Sequence, residues 1–322
     1  MGLFDILGGK NPQPGESGHF GEYDLQEVVN SGGMADIWLA TDPDHHTVAV
    51  RRLHSELRKD SKAKKRFVSG CEILEKVCDH PYIVQYLGHG KVKGDLFLAM
   101  EYCEFPNLKI LISRSDPVLE QYVGNILIDV AEALEHVHDK GFLHYDFKPE
   151  NILVDKSTQR CKMADLGCAR EVRSAPPYTD YVSTRWYRAP ENALRSKVYS
   201  SPVDVWACGC VLGELLTKGR PLFPATSEAD LVHKIFQMRG NPWQAGWQDG
   251  IRLATGLRLE PPAEKRRRRA FPLELRGADV SGTDLCDALL RLDPAARPSA
   301  QAALDHAFLR NCLLYTSDAA DE

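Results

Sequence analysis

No uninterrupted apolar run in this chain is long enough to cross a bilayer, which takes about 20 residues of helix, so no membrane association is expected. Nor is there an excess of positive charge: 40 Lys and Arg stand against 45 Asp and Glu, a formal net charge of −5. A dedicated nucleic-acid or membrane-surface protein needs a basic field to hold phosphates or headgroups, so both classes are disfavoured. Paired metal-site cysteine spacings are missing too. The nine cysteines are scattered, and Cys208 and Cys210, one residue apart, sit in an apolar, helix-like run. An odd, irregular set reads as reduced thiols and not as a disulfide framework, which points to the cytoplasm. There is no internal repeat.

What remains is ordinary globular material: 322 residues, 43% hydrophobic, enough for a sizeable core and for two lobes. The start, M-G-L-F-D-I, has Gly2 but puts Ile6 where a myristoylation signal takes Ser or Thr. Gly, Pro and polar groups dominate the residues that follow, so 1–20 are expected to be a flexible leader. At the other end, Cys312–Glu322 (C-L-L-Y-T-S-D-A-A-D-E) looks like the in-frame translation of a sequencing-library adapter and is set aside from the fold. The natural C-terminus is then expected to lie elsewhere.

The first third reads as strands with one charged helix. Thr47–Val50 and Leu96–Tyr102 are β-branched or aromatic runs between turn residues, and Lys62–Val77 has helical spacing. From Asn107 the texture changes. Val123, Ile126, Leu127, Val130, Ala131, Leu134 and Val137 fall on one helical face, and Gly141 follows as a stop. Val203–Leu216 and Glu228–Met238 read as further helices, and Asp293–Phe308 as two helical pieces around Arg297. The basic run Lys265–Arg269 reads as a solvated loop, with a nuclear-import or acidic-partner patch as its sharper alternative.

The chemistry is concentrated in His144–Asn151, H-Y-D-F-K-P-E-N, with D-L-G following at Asp165–Gly167. Phosphoryl transfer needs this inventory: a carboxylate to position a hydroxyl, a cation for the moving phosphate, and oxygen ligands for magnesium. Any one of these residues could be a surface turn or a helix cap, but all four at this spacing are harder to explain that way.

Taken with Gly32-Gly33 between two strand-like runs and A-P-E at Ala189–Glu191, these motifs resemble the eukaryotic-type protein kinase family over about residues 23–310. The resemblance implies an α+β, bilobal fold: a small antiparallel-sheet N-lobe with one helix, about residues 21–103, and a larger, mainly helical C-lobe, about 104–311. It implies ATP and Mg2+ as cofactors and protein substrates as partners. Asp146 would accept or orient the substrate hydroxyl proton and Lys148 would neutralise the γ-phosphate. Asn151 and Asp165 would ligate magnesium. Val29, Gly32, Gly33, Ile37, Ala49, Arg51, Met100, Glu101 and Cys103 would surround the nucleotide, with adenine held by the Glu101 carbonyl and the Cys103 amide. Lys148 and Thr184 resemble Ser/Thr kinases more than tyrosine kinases. Asp204, Trp206, Glu191 and Arg297 match the family's structural anchors. Leu166 takes the place of phenylalanine in D-F-G.

Tyr178–Glu191, Y-T-D-Y-V-S-T-R-W-Y-R-A-P-E, is narrower and looks like the CMGC group, of the ciliary male-germ-cell-associated and intestinal-cell kinase type. That likeness implies proline-directed Ser/Thr substrates and activation by an upstream kinase at Thr179 and Tyr181. A phosphate on Tyr181 could be gripped by Arg185 and Arg188. Ser31–Asp42, S-G-G-M-A-D-I-W-L-A-T-D, looks more like bacterial Ser/Thr kinases, and a chimaeric chain would carry both likenesses.

The chain departs from the family pattern in four ways. Asn30 and Ala35 stand at the first and third glycines of the phosphate loop, which restricts close backbone approach. Arg51 replaces the third-strand lysine, and arginine's planar fork is not a point charge. The helix glutamate expected near Gly70 or Cys71 is missing; either Glu72 pairs with Arg51 or the ion pair is absent. Tyr145 replaces the arginine of H-R-D and cannot clamp a phosphate, so Tyr181 should matter more than Thr179 for activation. The chain is read as an ATP- and Mg-dependent Ser/Thr kinase. A pseudokinase acting as a nucleotide-sensing or scaffold module is the alternative, and a small-molecule kinase is disfavoured by the A-P-E segment.

Overall fold

The computed structural model describes residues 18–172, 185–259 and 280–318. The chain divides into two compact units: Met1–Glu104 with Ala164–Ala169, and Phe105–Met163 with the chain from Arg170 onward. In the first, β1 (Gly18–Phe20), β2 (Tyr23–Ser31), β3 (Ala35–Thr41), β4 (Thr47–Leu53), β5 (Tyr86–Val92) and β6 (Asp95–Glu101) form one antiparallel sheet in the order β1-β2-β3-β4-β6-β5. Period-two alternation sorts its side chains. Val28, Trp38, Val50 and Ala99 belong to a buried core with Phe20, Tyr23 and Phe97, while Ile37, Ala49, Arg51 and Met100 lie on the opposite face. The unit's α-helix, Ser61–Val77, begins where Asp60 accepts hydrogen bonds from the amides of Lys62 and Ala63, satisfying donors that a helix start leaves open.

Three sequence expectations change here. Gly18–Phe20, expected within a flexible leader, is a strand: it pairs with Tyr23–Leu25, and the Phe20 ring is buried edge-on against Phe97, 5.7 Å between centroids. The added strand makes the strand carrying Arg51 the fourth of this sheet. The lobe boundary is not a single cut either. Ala164–Ala169 belongs with the first unit, since the helix Ser61–Val77 packs on the turn Leu166–Cys168 and Arg51 pairs with Asp165. Finally, the last helix runs Ala307–Asp318, and Cys312, the first of the residues set aside above, packs against Gly124 and takes part in the fold.

The second unit is mainly helical. Ile126, Leu127, Val130, Ala131, Leu134 and Val137 are buried along the helix Val118–Asp139, which ends before Gly141 at φ 84°, the left-handed turn that glycine adopts without strain. The helix Pro202–Leu216 is buried on nearly every side and carries Asp204, Trp206 and Glu214. Two short ribbons complete the unit's loops: β7 (Phe142–Leu143) with β10 (Arg170–Glu171), and β8 (Ile152–Asp155) with β9 (Arg160–Met163).

Candidate active site

The strand register gathers the expected nucleotide residues of the first unit on one face. Ile37, Arg51 and Leu98 form one cross-strand row, and Leu39, Ala49 and Met100 the next. A register shift between Val28 and Asn30 leaves Val29 at a bulge beside them, half-buried. Sequence reasoning missed Leu39 and Leu98; alternation counted from Ile37 and from Met100 would have found them. Glu101 closes β6, its amide bonded to the Gln85 carbonyl at 2.9 Å, and Cys103 follows two residues on. Ser31 and Ala35 end and begin the two strands of the β2–β3 hairpin, and Gly32 donates to the Ala35 carbonyl at 3.0 Å. A Cβ at Gly33 would meet nothing within 4 Å, and one at Gly32 only the Ala35 oxygen at 3.6 Å. Nothing inside the fold demands those glycines, so the open space above them suits a phosphate approaching the backbone.

Arg51 has a partner that the sequence did not reveal. Its Nη1 lies 2.8 Å from Asp165 Oδ1. Glu72 is exposed on the helix Ser61–Val77, and of the two positions where the family's carboxylate was expected, one is Gly70, packed on Gly167. The other is Cys71, whose burial pushes its thiol up to about 12 despite the nearby Arg51 charge, so it supplies no anion. Arg66, one turn before Gly70, donates to the Gly167 carbonyl at 3.4 Å and to Cys168 Sγ at 3.0 Å. Asp165 itself sits in the left-handed region at φ 57° and accepts from the Gly167 amide at 3.0 Å.

In the second unit, Asp204 organises the loop that carries Asp146. Its carboxylate accepts from the amides of His144 at 2.9 Å and Tyr145 at 2.8 Å, and contacts His138 Nε2 at 3.0 Å. Burial opposes its charge, but His138 and these donors outweigh it and hold the carboxyl below the ordinary range. The loop brings Lys148 Nζ to 2.8 Å from Asp146 Oδ2, and Asn151 Nδ2 to 2.8 Å from the Asp146 carbonyl. That bond leaves Asn151 Oδ1 as its atom for a cation. Asp146 also lines an open cleft of about 470 Å³ with Tyr145, Phe147, Tyr187, Arg188 and Asn192. Glu191 and Arg297 meet in a buried fork, both bonds 2.7 Å. A buried Glu214, which sequence reasoning passed over, holds Lys109 at 3.0 Å and the Tyr187 hydroxyl at 2.6 Å.

Tyr145 does more than fail to bind phosphate. At φ 66° its ring stacks on Tyr199, 5.1 Å between centroids, and the Arg170 guanidinium lies 3.8 Å from its centre. Arg170 also bonds the Tyr199 hydroxyl, and Asn192 donates to the Tyr145 hydroxyl at 3.1 Å. Arg188 meets Glu228 at 2.7 Å, and Arg185 opens the turn Arg185–Tyr187. Thr179, Tyr181, Thr184 and Lys265–Arg269 lie outside the described residues.

Among the described residues no group of three or more His, Cys, Asp or Glu could hold a metal on its own. Magnesium usually takes one or two protein oxygens together with phosphates and water, so Asp165 and Asn151 fit that cation by donor type.

The profile described as "Protein kinase domain" matches residues 23–309. The chain is 36% identical to cyclin-dependent kinase F-4 of Oryza sativa subsp. japonica over 296 residues, 90% of this chain and 62% of that protein. It is 37% identical to the serine/threonine-protein kinase MAK of Mus musculus over 266 residues, 79% of this chain and 42% of that protein. Against the serine/threonine-protein kinase ICK of Rattus norvegicus it is also 37% identical, over 79% of this chain and 41% of that protein. The chain thus spans roughly half the length of these relatives.

Proposed function

The chain belongs to the protein kinase domain family, and from that premise we propose that it transfers the γ-phosphate of ATP to serine or threonine hydroxyls of proteins. The observation that carries this reading is the catalytic loop: Asp146 and Lys148 held 2.8 Å apart on a backbone fixed by a buried aspartate. The substrate hydroxyl oxygen attacks the γ-phosphorus and the bond from that phosphorus to the ADP oxygen breaks. Asp146 orients the hydroxyl and receives its proton, and Lys148 offsets charge on the phosphoryl group. Adenine would rest between Ala49 and the backbone of Glu101 and Cys103, with Gly32 and Gly33 over the phosphates. When bound, magnesium supplies further charge neutralisation to the phosphates, and Asp165 and Asn151 are the residues that would hold it.

Proline-directed specificity and activation by an upstream kinase rest on the T-D-Y and T-R-W-Y-R sequence. Tyr145 is engaged with Tyr199 and Arg170, which supports Tyr181 as the more important site. Tyr181→Phe should therefore cost more activity than Thr179→Ala, and equal losses would remove that claim. Nine free cysteines support a reducing, cytoplasmic setting. The second reading, a nucleotide-sensing pseudokinase, is favoured by one observation, the Arg51–Asp165 pair. Radiolabel transfer from ATP to a generic protein substrate, beside an Asp146→Asn control, decides between them. The enzyme reading expects label with the parent chain and a near-complete loss in the control; equal signals defeat it.

A further inference from the structure

The helix carboxylate expected as partner of the strand cation falls at Gly70 or Cys71, neither of which carries one. At Gly70 a Cβ would stand 3.0 Å from Gly167 Cα and 3.1 Å from the Leu166 carbonyl oxygen, both backbone atoms, so the helix leaves no room there for a carboxylate side chain. Arg51 instead reaches Asp165 Oδ1 at 2.8 Å. Its guanidinium lies against Gly167, where a Cβ would come within 2.8 Å of Nη2, and the Phe67 ring is 5.8 Å from its carbon. A strand, a helix and the Leu166–Cys168 turn together build a seat for one cation beside Asp165.

We propose that the Arg51 guanidinium takes the place of a divalent cation at Asp165, so that this chain binds a nucleoside triphosphate with little dependence on magnesium. The inference rests on the nucleotide reading given above. A triphosphate brought beside an ionised carboxylate is repelled unless a cation stands at that carboxylate. Arginine stays charged at any working pH, and its planar fork carries five N–H donors, so one guanidinium can serve a carboxylate oxygen and a phosphate oxygen together. The pair is partly buried, with the side chains 17% and 32% exposed, so it is screened somewhat less than a fully exposed pair.

Isothermal titration of ATP into the whole chain, in EDTA and in excess magnesium chloride, tests this. The parent chain should show dissociation constants within about threefold of each other in the two buffers. Arg51→Gln, which removes the charge, should weaken binding in EDTA by at least about tenfold and recover with magnesium. Adding Asp165→Asn to it should recover part of the EDTA affinity, because no carboxylate then needs a cation while the guanidinium's own phosphate contact stays lost. A parent chain that loses tenfold or more in EDTA overturns the proposal, as does an Arg51→Gln chain that binds like the parent there. Should Arg51→Gln fail to fold, Asp165→Asn alone decides. Unchanged affinity in EDTA supports the proposal, and a gain of about tenfold overturns it by showing that the parent carboxylate was not neutralised. Binding in neither buffer removes the nucleotide reading itself, whereas magnesium-dependent binding by the parent leaves that reading and removes only this inference.

Discussion

Removing Glu191 should be among the most damaging single changes to this chain's stability. All five N–H groups of Arg297 are used: Nε on the Arg291 carbonyl at 2.8 Å, Nη1 on Glu191 at 2.7 Å and the Pro202 carbonyl at 2.8 Å, and Nη2 on Glu191 at 2.7 Å and the Leu292 carbonyl at 3.1 Å. Both side chains are buried, and the Trp206 ring lies 5.1 Å from the guanidinium carbon. Glu191→Ala deletes two short charge-assisted bonds and leaves a buried cation uncompensated, a change that costs about 3–5 kcal/mol. At roughly 2–4 °C per kcal/mol for a large domain, the melting temperature should fall by roughly 6–20 °C. Differential scanning calorimetry of Glu191→Ala, Arg297→Met and the double variant measures this, and the double should cost less than the sum of the singles. A Glu191→Ala chain within about 1 kcal/mol of the parent would refute the assignment of an uncompensated charge.

Two further predictions concern the first unit. Burial opposes the charge on Asp95, but bonds from Arg58 and Arg52 outweigh it and hold the carboxyl below its ordinary value of 3.8. The folded value is thus depressed, so its stabilising contribution is present above pH 3.8 and fades as pH falls through the lower folded value. Asp95→Asn should flatten that acid limb in melts taken from neutral pH downward; an unchanged limb would contradict the assignment. Gly70→Glu restores the residue type that the family carries near this position, yet it should destabilise the chain. Overpacking of about 1–3 kcal/mol outweighs a helix-propensity gain of less than about 1 kcal/mol, and a rise in melting temperature would count against the close Gly70–Gly167 packing.

The regular elements were readable from periodicity because their burial is local. The helix Ser61–Val77 and the helix Val118–Asp139 extend the expected runs by a few residues at most. The loop His144–Asn151 stood out by its spacing, and the fold brings Asp146, Lys148 and Asn151 together in it. What failed were questions of partnership across long sequence separations. The sequence put Gly70 and Cys71 where a helix carboxylate was expected and left Glu72 open as a partner, but did not reveal that Arg51 would turn to Asp165, because that choice depends on how closely two glycines can approach in space. Tyr145 was visible as a lost phosphate ligand, while its stack with Tyr199 under Arg170 joins residues from three separate segments. Gly18–Phe20 was hidden by the glycine- and proline-rich composition before it, although one buried phenylalanine sufficed to make it a strand.

Under the proposed kinase reading, Arg51, whose fork holds Asp165, should limit the rate of phosphate transfer. The most direct measurement is the rate of phosphate transfer by Arg51→Lys, with magnesium, beside the parent chain. A lysine is a compact point charge that releases Asp165 to the metal, so transfer should quicken by about tenfold, near 1.4 kcal/mol off the barrier. An Arg51→Lys chain that transfers no faster than the parent would contradict the account.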